Sequence, residues 1–119
     1  MKNLQLWDGT PFPDLIRNLP EIDVPITGVR GWLLQGPAQQ LAFFDIEKDA
    51  PLSPHSHGEQ WGLAICGEMD RTIGGETRRV GPGDWYHIPA GVVHSAVFLT
   101  RFQVIDFFAD SDRYSIKRD

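Results

Sequence analysis

His55 and His57 stand one residue apart in the stretch PHSHGEQWG, and a third histidine, His94, closes a second stretch, GDWYHIPAGVVH. Along a strand, side chains at i and i+2 share a face, so the first two imidazoles address one point. Two imidazoles on one strand are a natural pair of metal ligands, and a metal needs further ligands from elsewhere. In the second stretch Pro89 and Gly91 build a turn that ends one strand and aims His94 from the next. The fourth histidine, His87, sits one strand position off this pattern and reads more readily as an exposed or packing group than as a support behind the ligands.

Asp106 conflicts with its surroundings. It lies inside RFQVIDFFA, an apolar strand, where a carboxylate is costly to bury unless paired. It therefore faces either solvent or a polar cavity, and on strand parity it shares a face with Val104 and Phe108. If that face is inward, Asp106 approaches the histidines as a proton-transfer group. Arg71, Arg101 and Arg113 are open as its partners or as clamps for a substrate carboxylate, and sequence alone does not choose among them. If Gln60 points inward, so do Gly62, Ala64 and Cys66; their small size leaves room beside the site or simply satisfies barrel packing. Cys66 reads as a small buried hydrophobe. Trp7, Trp32, Trp61 and Trp85 read as core or subunit-interface residues.

The elements that must position these groups are short. A chain of 119 residues is one domain with a single core. Residues 1–20 are interrupted by Pro11, Pro13 and Pro20, so any helix there is brief. EIDVPI suggests an edge strand. VRGWLLQ and QLAFFDIEK read as a hairpin across GPAQ, and EMDRTI and ETRRV as a second hairpin across Gly74-Gly75. With EQWGLAIC, GDWYHIP, VVHSAVFL and RFQVIDFF the total is eight to ten short strands and no amphipathic helix, which is an all-β sandwich or barrel. A net charge of −5 argues against nucleic acid or an anionic membrane as partner. One cysteine excludes an internal disulfide. No signal-peptide h-region or membrane-length apolar run is present, so a cytoplasmic protein is expected.

The two histidine stretches resemble the paired motifs of the cupin superfamily, G-x5-H-x-H-x3,4-E-x6-G and G-x5-P-x-G-x2-H-x3-N, over a core of about residues 40–109. The resemblance implies an all-β double-stranded β-helix, a jelly-roll barrel with a short N-terminal segment. It also implies one divalent transition metal (zinc, nickel, manganese or iron) held by His55, His57 and His94. Counting back from Gly67 places the fourth ligand at Gln60, where the family has glutamate; an alternative alignment uses Glu59, which lies on the opposite face of a regular strand. Asp49 replaces the leading glycine, and Phe98 stands at the asparagine position.

With Gln60 the ligand set is neutral and leaves the ion's full charge to act as a Lewis acid on an anionic or carbonyl-bearing ligand. A set of three histidines and a glutamine is similar to that of small cupins of pectin-sugar degradation, whose last strand carries Asp-x-Phe followed by Arg. Asp106 and Phe108 match, and Arg113 falls about one residue late. The resemblance implies a metal-dependent isomerase or lyase for a small carbonyl or carboxylate compound, such as a sugar acid, with Asp106 and Arg113 as catalytic groups. The alternatives are a dioxygenase using iron, copper or nickel, and a binding module for a small ligand. A homodimer formed through N-terminal strands is the family expectation.

Overall fold

Alternating inward apolar and outward polar side chains, cut by glycine turns, govern most of the chain. The computed structural model describes residues 12–118, so Trp7 lies outside the described residues. These form a one-turn helix, α1 (Asp14–Arg17), and nine strands: β1 (Val29–Gln35), β2 (Gln40–Ile46), β3 (Leu52–His55), β4 (Gln60–Cys66), β5 (Met69–Ile73), β6 (Glu76–Val80), β7 (Trp85–Ile88), β8 (His94–Phe98) and β9 (Phe102–Phe108). All neighbours pair antiparallel, in a five-stranded sheet ordered β1-β2-β9-β4-β7 and a four-stranded sheet ordered β3-β8-β5-β6. The two sheets form a jelly roll. Their inner faces meet in a core that includes Phe44, Met69, Phe98, Phe102, Val104 and Phe108.

Both expected hairpins form. β1 and β2 are joined across residues 36–39, and β5 and β6 turn at Gly74 and Gly75, whose φ angles of 57° and 84° lie in the left-handed region. EIDVPI departs from the expected strand. Among the described residues it makes two isolated bridges, Glu21 to Trp32 and Ile22 to Ile116, since Pro25 cannot donate a ladder hydrogen bond. Asp49, where the resemblance leads one to expect glycine, has φ of 62°, a conformation that aspartate tolerates better than most side chains.

Candidate metal centre

The two sheets each bring part of the site. In the four-stranded sheet His55 on β3 lies directly across the ladder from His94 on β8. His57 follows β3 in a segment tied down at both sides. Its carbonyl accepts a hydrogen bond from the Gly91 N–H at 2.8 Å, so the turn before β8 is stitched to the segment bearing His57. The next N–H, of Gly58, donates to Asp110 Oδ2 at 3.0 Å. A Cβ at Gly58 would overlap that carboxylate, which would have to move aside for any larger residue.

The imidazoles are oriented for lone-pair convergence. Each Nδ1 lies against a backbone carbonyl: His55 on Ser53 at 2.8 Å, His57 on Gly58 at 2.8 Å and His94 on Val92 at 2.9 Å. A carbonyl only accepts, so each Nδ1 carries the proton, and a ring without a second proton presents a bare Nε2. The candidate ligand atoms of the three rings lie within 4.8 Å of one another, and Nε2 of His57 and His94 are 3.1 Å apart. Two facing lone pairs repel unless a proton or cation lies between them. Burial disfavours the proton: desolvation pushes His94 down to about 4 and lowers His57, against the opposing pull of their carbonyl partners. The spacing is that of imidazoles sharing one ion through bonds of about 2.0–2.1 Å. The three-histidine cluster thus supports a transition-metal cofactor.

The five-stranded sheet supplies the rest. One cross-strand row runs Ala42, Asp106, Gly62, Tyr86, all turned inward. Two residues without bulk flank Asp106 and let the Tyr86 ring lie over Gly62, where any Cβ would overlap it. The Tyr86 hydroxyl donates to Asp106 Oδ1 at 2.5 Å. Gln60, buried on the same strand as Gly62, also hydrogen-bonds to Asp106. An amide donating its N–H to a carboxylate keeps its oxygen available for another partner. Burial raises the Asp106 pKa above the ordinary carboxylate range, although the Arg71 charge and both hydrogen bonds oppose the rise. Gln60, Arg71, Tyr86, Asp106 and the three clustered histidines line one cavity of about 60 Å³ whose remaining wall is largely apolar.

Asp106 faces inward, the branch of the parity argument that leads to the cavity. Glu59 does not approach the cluster; it is exposed and pairs with His87 Nε2 at 2.7 Å, while the His87 ring stacks on Trp61 at 4.4 Å. Arg101 is engaged with Asp45 at 2.6–2.9 Å, away from Asp106. Arg71 turns inward beside Asp106 with its guanidinium 4.6 Å over the Tyr86 ring. Arg113 is half-buried after β9, over the Tyr114 ring at 4.4 Å and close enough to His57 for its charge to act there.

Of the two readings of the small residues, packing holds at Gly62, whose space Tyr86 fills. A register shift falls between Ala64 and Cys66, and Cys66 is half-buried. Of the tryptophans, Trp32 is core, whereas Trp61 and Trp85 are 46% and 65% exposed. Tyr86 was missed from sequence. The available signal was a glycine at the centre of an otherwise bulky apolar strand, which marks a close approach by a neighbour.

A family model described as a cupin domain matches residues 42–107, more than half of the chain. No functionally curated protein matches it. Among solved structures, an RmlC-like cupin from Shewanella frigidimarina is similar with a TM-score of 0.72 and 24% identity, over 81% of this chain and 87% of that one. KdgF from Halomonas sp. superposes with a TM-score of 0.67 and 24% identity, over 76% and 87% of the two chains. An oxalate decarboxylase from Bacillus subtilis, studied for its Mn(II) centres, aligns at 0.64 and 21% identity, over 71% of this chain and 26% of its own. At these identities the likenesses speak for the fold.

Proposed function

This chain belongs to the cupin domain family, and on that premise we propose that it is a metal-dependent isomerase or lyase acting on a small carbonyl or carboxylate compound. His55, His57, His94 and Gln60 would hold one divalent transition ion, and Asp106 would move a proton. The observation that carries the reading is the pairing of three bare Nε2 atoms with a buried carboxyl that Gln60 touches.

A divalent ion held there supplies Lewis-acid polarisation of a bound carbonyl oxygen. The protein's own groups do the rest. The carbonyl partners of Nδ1 lock the rings so that no reorganisation is needed when ligand enters. Asp106, with its pKa raised by burial, is a stronger base than an ordinary carboxylate and retains a proton more readily once it has accepted one. It can take a proton from the carbon beside the polarised carbonyl and return it at a neighbouring atom, a balanced exchange needing no oxidant. Tyr86 fixes the carboxyl through its hydrogen bond, and the apolar wall limits water. Arg113, beside His57 and Tyr114, would steady the outer part of the substrate.

The test has two parts. Protein purified without chelator or affinity tag should carry about one equivalent of zinc, nickel, manganese or iron, lost in a His55→Ala/His94→Ala variant. Loaded wild type should catalyse solvent deuterium incorporation beside the carbonyl of some member of a panel of keto acids and keto sugars, read by NMR, and Asp106→Asn should lower that rate at least about 100-fold. Metal-free protein even after reconstitution sinks the site. Full exchange activity in Asp106→Asn removes that residue's role, and oxygen consumption without exchange replaces the isomerase with an oxygenase.

A further inference from the structure

Arg71 is a charged side chain of the cavity with two buried donors that no described residue accepts. It stands in the middle of β5, only 5% exposed. Its register partner on β8 is Ala96, while Ile73, two residues on, lies opposite His94. Arg71 and His94 therefore point from neighbouring strands into the same interior. The guanidinium stacks over Tyr86, whose hydroxyl donates to Asp106 and is itself hydrogen-bonded by Arg71. Nε and Nη1 of Arg71 have no hydrogen-bond partner among the described residues. A buried guanidinium with open N–H groups is costly, so such donors imply an acceptor.

The charge count sharpens this. Among the described residues Asp106 is the only acid lining the cavity. It offers one negative charge at most against the Arg71 guanidinium and a divalent ion at the imidazoles, so the interior is left with an excess of positive charge. The missing partner is an anion. Its size is bounded as well: a buried water needs about 10–15 Å³ of cavity, so about 60 Å³ admits a group of only a few non-hydrogen atoms. A carboxylate joined to one oxygen-bearing carbon is such a group.

We propose that Arg71 docks the carboxylate of a 2-oxo or 2-hydroxy acid whose adjacent oxygen lies at the imidazole cluster, with any longer chain extending toward the cavity mouth. This rests on the metal reading above and names its substrate class. The ligand then satisfies the open guanidinium donors and the ion together, and the carbon bearing a movable proton faces the Asp106 side of the cavity. Arg71 thereby selects for acids over neutral carbonyl compounds of the same shape, because a neutral isostere leaves the guanidinium unpaired.

The experiment compares pyruvate with pyruvamide, its uncharged isostere, as probes of metal-loaded wild type, Arg71→Gln and Arg71→Lys, by calorimetry and by ligand-induced change in Tm. Wild type should bind pyruvate about tenfold or more tighter than pyruvamide. Arg71→Gln should lose that preference while keeping its metal, and Arg71→Lys should keep part of it. Equal binding of the two probes by wild type overturns the proposal, and so does an unchanged preference in Arg71→Gln. If Arg71→Gln does not fold, the wild-type comparison and Arg71→Lys still decide. Protein that holds no metal but still shows Arg71-dependent preference for pyruvate removes the metal reading and leaves this one standing. Metal bound without Arg71 dependence does the reverse.

Discussion

At Gly62 the chain has no space for a side chain, because the Tyr86 ring lies where Cβ would sit. A single absent methyl therefore decides whether the phenol reaches Asp106. Gly62→Ala should cost about 1–3 kcal/mol, the usual penalty of overpacking. It should also release Tyr86 from the carboxyl, so that the phenol, whose pKa burial now raises, titrates closer to its ordinary value in an ultraviolet pH titration. In a Tyr86→Ala background the same glycine change should cost much less, since the clash is gone. An equal cost in both backgrounds would show that Tyr86 is not the obstacle. The sequence made Asp106 conspicuous, because an acid in an apolar strand needs an explanation, and parity offered the inward face as one of two. It left Arg71, Arg101 and Arg113 equivalent. Their roles separate only through tertiary contacts: Asp45 engages Arg101, and the inward face of β5 carries Arg71.

Among the elements, the passage from β2 to β3 depends on one left-handed residue. Asp49 has φ of 62°, and its N–H donates to the carbonyl of Phe98 at 3.0 Å, which ties this turn to the end of the strand bearing His94. The sequence comparison marked position 49 as a departure from a glycine motif, while the backbone keeps a glycine-like conformation there. Asp49→Gly should leave stability within about 0.5 kcal/mol, the lost strain offset by added chain entropy. Asp49→Val should lose about 1–2 kcal/mol, because a β-branched side chain clashes in this conformation. Urea unfolding of the two variants measures the difference, and a valine variant as stable as wild type would contradict it. Most strands were legible because their turns carry Gly-Gly or Gly-Pro pairs and their apolar positions alternate. EIDVPI also alternates yet forms only bridges. Alternation reports which residues face the core, and it is silent on whether a neighbour's backbone lies within hydrogen-bonding reach.

Across the whole molecule, the segment after β9 is fastened to the segment before β1. Ile116 bridges Ile22, the Asp23 N–H donates to Ser115 O at 2.8 Å, and the Lys117 N–H donates to Glu21 O at 2.8 Å. This strap holds Tyr114 against Phe44 and Phe108, and with it Arg113 near His57. Glu21 is its charged clasp, bound by Arg30 at 3.1 Å and by Lys117 at 2.8 Å. The hydrogen bond from Arg30, then that from Lys117, lowers the Glu21 pKa below its ordinary value. The folded form thus binds this proton less readily than the unfolded chain. The clasp contributes fully above the unfolded pKa of about 4.5 and is lost as pH falls through the lower folded value. Because the pair is partly solvated, about 0.2–1 kcal/mol is at stake. Glu21→Gln should lower stability by that amount at pH 7 and by less at pH 3. Its amides at 114–117 should exchange faster at pH 7, while those of β4 and β9 keep their protection. High salt should shrink the difference from wild type. If Glu21→Gln lowered stability equally at both pH values, or left exchange at 114–117 unchanged, the charge on Glu21 would not be what fastens the strap, and the backbone bridges to Ile22 and Asp23 would hold it alone.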